Sequence, residues 1–368
     1  MTPEKEGKSR TRIGLTTAVA MLAGIAGGVK SAEAHTPDID SQTISHLSKE
    51  NDLNKFSEDE IKKLEDIVES DKLPLHLQVK FIGEALREDG PYARELSDRK
   101  LSTQRLSRIG QLTNAVSARL TVAYTDWKKH PELQKHFLEA DKMREATSLF
   151  PVERNGKTEY CNRFLVNDSN EAFSVTAFHC INGTIHENEY YRPPYTDIAV
   201  KYIPKEKWEL NGVKDISSLP EVNRKADRFS ISGKVVTAFS RGMDDKPRVH
   251  FSFAMPLPMN LSLMFSDKEM PKLTLLGAQD WMMYFKPYSE GQRNPETGRV
   301  NAASSSGGPI AVEGFGVAGT NSATKAVSDD PQKVSYASSF FTAPDTFHRA
   351  ISEERATRSR RIAAGDMQ

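Results

Sequence analysis

Apolar residues recur at intervals of three or four positions through the first third of the chain, which is the spacing of amphipathic helices. A capping box, Ser57 followed by Glu60, precedes one such run. The apolar residues of that run are Ile61, Leu64, Ile67 and Val68. Further stretches with the same period cover residues 77–86, 106–127 and 133–143. The pattern therefore predicts that residues 35–146 form a helical N-terminal segment.

The pattern changes near Ser148. From there to Thr342, short runs rich in β-branched and aromatic residues alternate with Gly, Pro, Asn and Asp. The runs are Arg163–Val166, Phe173–Thr176, Ile198–Tyr202, Val235–Phe239, Val249–Phe253, Leu273–Leu276, Trp281–Phe285 and Val334–Ser338. Because no long helical stretch interrupts them, the sequence predicts a mainly β, antiparallel domain over residues 147–350. A closing helix over 344–350 and a charged C-terminal tail over 351–368 complete the predicted organisation.

The first 34 residues have the composition of a secretory signal peptide. Four basic residues stand near the start, namely Lys5, Lys8, Arg10 and Arg12. An uncharged stretch, Ile13–Val29, follows, and Ala32-Glu33-Ala34 then matches a small-x-small cleavage site. The alternative is a membrane anchor, for which a run of 17 residues rich in Ala and Gly is short. We expect cleavage of residues 1–34 before His35, a secreted or periplasmic protein, and no stable membrane association after cleavage.

The overall composition gives no sign of a strongly charged partner or of a metal. The formal net charge is +0, so the sequence offers no reason to expect nucleic-acid binding. Its two cysteines, Cys161 and Cys180, are too few for a structural zinc site, and we expect neither a metal nor a cofactor. In the exported part of the chain these cysteines form either a disulfide, which that environment favours, or two buried thiols.

Three short segments carry reactive residue types in the order His, Asp, Ser. They are Val175–Cys180, which contains His179, Thr196–Val200, which contains Asp197, and Ser304–Ile310, which contains Ser306. A serine hydroxyl becomes nucleophilic when a histidine accepts its proton and a carboxylate fixes the tautomer of that histidine. Glycines after the serine let backbone amides approach a developing oxyanion. The segments therefore point to acyl transfer by Ser306, with His179 as general base and Asp197 as its orienting acid.

These segments resemble the motifs of the chymotrypsin-like (trypsin-like) serine peptidase family. The family's Thr-Ala-Ala-His-Cys corresponds to Thr176–Cys180, its Asp-Ile-Ala strand to Asp197–Val200, and its Gly-Asp-Ser-Gly-Gly-Pro to Ser304–Pro309. The resemblance covers residues 148–350 and implies a two-barrel antiparallel fold. It also implies that the backbone amides of Ser304 and Ser306 form an oxyanion hole and that Cys161 is disulfide-bonded to Cys180.

The resemblance also assigns a substrate pocket. Val300, six residues before Ser306, corresponds to the base of the specificity pocket, and Asn321 and Ser322 correspond to a pocket wall. Because Val300 is uncharged, a basic side chain at the P1 position of the substrate would find no partner, and we expect small or apolar P1 residues. Ser322 is further expected to support the carboxylate of Asp197.

Two features depart from the family pattern. His179 and Asp197 are 18 positions apart, fewer than the family usually has, which leaves Asp215 as an alternative orienting acid. Ser305 precedes the nucleophile, where the digestive members carry an Asp that pairs with a newly cleaved N-terminus. In this respect the chain resembles bacterial branches of the family, which do not use that activation switch.

The sequence therefore predicts a serine endopeptidase that hydrolyses protein or peptide substrates. The alternative is a catalytically inactive peptidase fold that acts as a binding module and recognises a partner through its helical segment. The helical segment, residues 35–146, is either a propeptide that is removed on maturation or a docking domain that is retained.

Overall fold

The computed structural model describes residues 41–138, 140–242, 245–265, 270, 281–287, 306–326 and 336–363. The described residues from Gln42 onward, with both sheets, belong to one compact unit, Gln42–Gln368. Among the described residues, no helix is both long and apolar enough to cross a membrane. The predicted signal peptide, the predicted strand Leu273–Leu276, and the site residues Val300, Ser304 and Ser305 lie outside the described residues.

The N-terminal part of the compact unit is helical, as the apolar spacing predicts. Its α-helices are α1 (Ser41–Lys49), α2 (Glu58–Glu69), α3 (Leu75–Leu86), α4 (Pro91–Leu96), α5 (Thr103–Thr125) and α6 (Ala140–Ala146). The capping box is present at the start of α2, where Ser57 N donates to Glu60 Oε2 at 2.8 Å and Glu60 N donates to Ser57 Oγ at 3.3 Å. The last predicted stretch is not continuous, because it is divided between a 3₁₀ helix, Pro131–His136, and α6.

The first sheet is antiparallel and follows directly after α6. Its strands are β1 (Thr147–Arg154), β2 (Lys157–Asp168), β3 (Glu171–Thr176) and β4 (Ala199–Ile203), paired in that order. Two-residue turns join the first three strands, at Asn155-Gly156 and at Ser169-Asn170. All four of these turn residues have positive φ, which matches the right-handed twist of the strands they connect. A four-residue helix, α7 (Phe178–Ile181), follows β3.

The second sheet is larger and curls toward closure. Its strands are β5 (Val235–Arg241), β6 (Pro247–Phe253), β7 (Trp281–Pro287), β8 (Pro309–Val312), β9 (Gly316–Ala326) and β10 (Tyr336–Thr342), in the spatial order β6-β5-β8-β9-β10-β7. A short helix, α8 (Arg228–Ile231), precedes β5. The segment just after β6 meets β7, where Met255 and Met283 exchange backbone hydrogen bonds of 2.9 and 3.0 Å. The predicted mainly β, antiparallel architecture is confirmed.

Helix α5 lies across the seam between β6 and β7. Ser117 Oγ on this helix donates to Ser252 Oγ at 3.1 Å, and Ser252 Oγ donates to the carbonyl oxygen of Phe285 at 2.7 Å. Thr121 Oγ1 accepts a hydrogen bond from the backbone N–H of Phe251 at 3.2 Å. The helix therefore satisfies polar groups at the seam of the second sheet, in addition to covering it.

The helical segment and the second sheet share one hydrophobic core. Ile109 and Leu120 of α5 belong to the same buried cluster as Phe251, Phe253 and Phe340 of the sheet, and all five side chains are 0% exposed. The hydrophobic core therefore continues across residue 146. Removing the helices would expose one face of the second sheet to water.

The C-terminal helix is longer than the sequence predicts. We expect a helix that ends at Ala350 and a charged tail from residue 351, but α9 extends over Pro344–Ala363, thirteen residues further. Ile351 continues the buried face of the helix. Nη2 of Arg355 donates to Oδ2 of the buried Asp168 at 2.6 Å, and Nε of Arg355 donates to Oε2 of Glu171 at 2.5 Å. These contacts with the first sheet explain why the polar sequence stays helical.

Candidate active site

His179 lies on α7, at the point where the first sheet turns away from β3. The backbone N–H of Phe178 donates to the carbonyl oxygen of Asp197 at 3.2 Å, which ties this turn to the start of β4. Arg192, on the loop between the two segments, contacts both of them. Arg192 Nε donates to the carbonyl of Thr196 at 2.9 Å, and its guanidinium carbon lies 3.8 Å from the centroid of the Phe178 ring.

The carboxylate of Asp197 holds His179 at two atoms. Asp197 Oδ1 accepts a hydrogen bond from the backbone N–H of His179 at 2.8 Å, and Asp197 Oδ2 lies 2.8 Å from His179 Nδ1. Asp197 is 1% exposed, so its charge is held in a buried position. Because the carboxylate accepts a hydrogen bond from the N–H at Nδ1, the neutral imidazole has its lone pair at Nε2, the atom that can act as a base.

Ser322 contacts both of the other segments. Its hydroxyl donates to Asp197 Oδ2, as the resemblance implies, and its backbone carbonyl accepts the hydroxyl of Ser306 at 3.4 Å. Strand β9 therefore links the carboxylate and the candidate nucleophile through one residue. Among the hydrogen bonds of the described residues, Ser306 Oγ is paired with Ser322 and not with His179.

The backbone around Ser306 is fixed between the two sheets. Asn162 N on β2 donates to the carbonyl of Ser306 at 2.8 Å, and Gly307 N donates to the carbonyl of Asn321 at 2.8 Å. Gly307 has a φ of +79°, and a Cβ there would lie 2.1 Å from the carbonyl oxygen of Asn162. Glycine is therefore required at this position both for backbone conformation and for space.

The electrostatic surroundings of His179 favour its protonated form. Burial acts to lower the pKa of the imidazole, but the attraction of Asp197 and its hydrogen bond outweigh burial, so the pKa stands above its ordinary value of 6.5. Arg154 opposes this effect and Glu159 adds to it. The His179 side chain remains 40% exposed, so the ring is accessible from solvent.

The two cysteines form the predicted disulfide. Cys161 and Cys180 are joined with an S–S distance of 2.05 Å, which anchors α7 to β2. His179 Nε2 lies 3.7 Å from Cys180 Sγ. Cys161, His179 and Cys180 thus lie close together, as metal ligands would. Because both sulfurs belong to the disulfide, neither cysteine offers a thiolate with which to bind a metal ion.

The remaining predicted site residues have different outcomes. Asp215 does not contact His179, because its carboxylate caps the 3₁₀ helix Ile216–Ser218 by accepting from Ser217 N at 3.0 Å. The carboxylate beside His179 is therefore that of Asp197. Asn321 lies buried on β9, where its Oδ1 accepts a hydrogen bond from the hydroxyl of Tyr284 at 3.2 Å. Val300 and Ser304 lie outside the described residues, and their roles stay predictions.

Comparisons with protein-family models and with curated proteins find no match. Among solved structures, the chain is similar to a serine endoprotease from Yersinia pestis, with 12% identity and a TM-score of 0.34 over 60% of this chain and 65% of that one. It is similar to the HtrA-type protease AlgW with tripeptide, with 15% identity and a TM-score of 0.35 over 57% of this chain and 59% of that one. It is also similar to the thermostable serine protease AL20 from an extremophilic microorganism, with 12% identity and a TM-score of 0.32 over 57% of this chain and 96% of that one.

The chain spans less than two thirds of the length of the first two of these proteins.

Proposed function

We propose that this protein is a serine endopeptidase in which Ser306, His179 and Asp197 form the catalytic triad. The observation that carries the proposal is the chain of hydrogen bonds from His179 through Asp197 to Ser322, with the Ser306 hydroxyl on the same residue of β9. A buried carboxylate that holds both the backbone and the ring of a histidine is what a general base requires.

The proposed reaction begins when the Ser306 hydroxyl turns from the carbonyl of Ser322 toward His179 Nε2. As Ser306 Oγ attacks the substrate carbonyl carbon, its proton passes to Nε2, and Asp197 stabilises the imidazolium. Collapse of the tetrahedral intermediate breaks the peptide C–N bond, and the imidazolium gives its proton to the leaving amine. Water then attacks the acyl-enzyme with His179 again as base, which releases the new carboxyl terminus and restores Ser306.

Other parts of the proposal rest on the sequence. The backbone amides of Ser304 and Ser306 would stabilise the oxyanion, and the uncharged Val300 would favour small or apolar P1 residues. Protein or peptide substrates and export through residues 1–34 belong to the same proposal. Because the base must be neutral to act, we expect activity to be lost as the pH falls through the raised pKa of His179.

We also propose that the helical segment is retained as part of the mature enzyme. Its support is the core that α5 shares with the second sheet and the hydrogen bonds of Ser117 and Thr121 at the seam. A propeptide that is removed after folding would leave that apolar face exposed, whereas a retained segment keeps it buried.

A fluorophosphonate probe tests the peptidase proposal, because it reacts with an activated serine. We expect covalent labelling of the wild type at Ser306 and none of Ser306→Ala, while the neighbouring control Ser305→Ala keeps the label. A folded wild type that stays unlabelled, both before and after limited proteolysis, would contradict the proposal and favour the inactive binding module.

A further inference from the structure

Arg154 reaches from the end of β1 to the turn that carries His179. Its Nη2 donates to the carbonyl oxygens of His179 at 2.7 Å, Asn182 at 3.0 Å and Cys180 at 3.3 Å. Its Nη1 donates to Glu159 Oε2 on β2 at 2.9 Å, and the side chain is 29% exposed. The guanidinium of Arg154 therefore donates to three carbonyl oxygens of a single turn, and the carboxylate of Glu159 orients it.

Helix α7 has a physical need for this contact. The last carbonyls of a helix have no partner within the helix, and in a helix of four residues they include that of His179 itself. A cation at the C-terminal end supplies hydrogen bonds and complements the negative end of the peptide dipoles. Arg154 meets this need in the turn on which the proposed general base depends.

Opposite charges hold the two ends of His179. Asp197 Oδ1 accepts from its backbone N–H at 2.8 Å, and Arg154 donates to its carbonyl oxygen at 2.7 Å. The ring is therefore placed by a backbone that is fixed on both sides, because neither peptide group next to the Cα atom can rotate without breaking a charge-assisted hydrogen bond. Such bonds are stronger than those between neutral groups.

We propose that Arg154 is a positioning residue of the catalytic centre. It fixes the backbone of His179 through the carbonyl oxygen, and together with Glu159 it places two opposite charges next to the turn that carries the imidazole. The inference rests on the proposed function of His179 as general base. Arg154 acts through the backbone of His179: its hydrogen bonds go to three backbone carbonyls and to Glu159, and none goes to Nε2 of His179 or to Oγ of Ser306.

Among the described residues, the charged groups that act on His179 come from two places. Asp197 lies at the end of the loop before β4, and Arg154 and Glu159 lie on the β1–β2 hairpin. Cys180 Sγ, 3.7 Å from Nε2, belongs to the disulfide and does not titrate. The positive charge of Arg154 lowers the pKa of His179 and the negative charge of Glu159 raises it. The two members of the hairpin pair therefore act on the base with opposite signs.

Three variants separate positioning from charge. Arg154→Met removes both, Arg154→Lys keeps the charge but loses the forked hydrogen bonds, and Glu159→Gln removes the opposing charge. The imidazole pKa is measured by NMR titration of the histidine Cε1–H signals, assigned with His179→Gln. The second-order rate of fluorophosphonate labelling is measured against pH on the same proteins.

We expect opposite shifts from the two charge variants. The pKa of His179 should rise in Arg154→Met and fall in Glu159→Gln, and the acid limb of the labelling profile should move with it. At the pH plateau, Arg154→Met should label about tenfold to a hundredfold more slowly than the wild type because the ring is misplaced. Arg154→Lys should label slowly as well while its His179 pKa stays near that of the wild type.

The outcomes distinguish this inference from the proposed function. Unchanged pKa values, or shifts of the same sign in both charge variants, together with wild-type labelling rates, would overturn the role of Arg154. Opposite pKa shifts in a protein that the probe does not label would support the placement of His179 by the hairpin and contradict the peptidase proposal. If Arg154→Met fails to fold, Arg154→Lys still tests the positioning role: slow labelling with a His179 pKa near that of the wild type supports it, and labelling at the wild-type rate overturns it.

Discussion

Nδ1 of His136 lies 2.6 Å from Oε2 of Glu313, and the contact joins the helical segment to the turn after β8. Both side chains are largely buried, with exposures of 6% and 19%. Lys135 Nζ adds a second contact, 3.2 Å from Glu313 Oε1. The turn after β8 thus receives two basic side chains from the 3₁₀ helix before α6, and the attachment of the helices should depend on pH.

Acid should weaken this attachment through Glu313. Burial acts to raise the pKa of Glu313, but the hydrogen bond and attraction of His136, together with Lys135, outweigh it, so the pKa lies below its ordinary value of 4.5. A carboxyl group with a depressed pKa stabilises the fold above its unfolded value, and this contribution is lost as the pH falls through the folded value. We expect Glu313→Gln to cost roughly 1–3 kcal/mol of unfolding free energy at about pH 7 and less at about pH 4.

Urea unfolding at the two pH values measures this difference. Glu132→Gln is the matched control, because Glu132 lies on the same 3₁₀ helix with its side chain 41% exposed. The control should track the wild type at both pH values. An equal cost of Glu313→Gln at both pH values would show that its charge is not the source of the contribution.

Retention of the helical segment predicts that helices and second sheet unfold together. Leu120→Ala opens a cavity in the shared core, and we expect a loss of about 2–5 kcal/mol in unfolding free energy. Val122→Ala, on the same helix but 50% exposed, should change it by no more than about 0.5 kcal/mol. Far-ultraviolet circular dichroism and tryptophan fluorescence should report one coincident transition; two separate transitions would favour an independent propeptide.

The parts of the fold that could be predicted from the sequence are those encoded over short distances. Ser57 and Glu60 are three residues apart, and their capping box needs no information from elsewhere in the chain. The segments around His179 and Asp197 could be recognised because residue types and order are sufficient to identify them. Their contact then follows from the pairing of β3 with β4, which places the two segments at neighbouring strand ends.

The features that could not be predicted depend on partners far away in the chain. The apolar stripe of α5 looks the same whether it meets another helix or the seam of a sheet. Arg355 reads as part of a polar tail until Asp168, 187 positions earlier, is placed beside it. Arg154, next to the turn at Asn155-Gly156, looks like an ordinary solvated residue, because nothing nearby in the sequence indicates that it reaches the carbonyl of His179.

Asp197 and Asp215 should differ sharply when each is changed to Asn. Asp197→Asn should keep the fold but lower turnover by up to about four orders of magnitude, because the amide favours the wrong tautomer of His179. Asp215→Asn is the control, since its exposed carboxylate caps a surface 3₁₀ helix and lies outside the site. Turnover of a peptide substrate by both variants provides the measurement. Comparable losses in the two variants would remove Asp197 from its proposed role.

Gly307 should tolerate no side chain. A Cβ at this position would lie 2.1 Å from the carbonyl oxygen of Asn162 and 2.5 Å from the hydroxyl of Thr176, so Gly307→Ala must displace the backbone that carries Ser306. Gly314 is a matched control, because its φ of +73° is similar and a Cβ there would meet nothing within 4 Å. Gly314→Ala should therefore show the cost of the left-handed backbone alone, about 1 kcal/mol.

Thermal unfolding and fluorophosphonate labelling of the two glycine variants separate strain from the steric clash. We expect Gly314→Ala to label at the wild-type rate with a slightly lower melting temperature. Gly307→Ala should lose labelling even where it stays folded, because Ser306 shifts away from Ser322 and His179. If both variants label alike, the close approach of Gly307 to β2 does not position the nucleophile, and the placement of Ser306 must depend on its hydrogen bonds to Asn162 and Ser322.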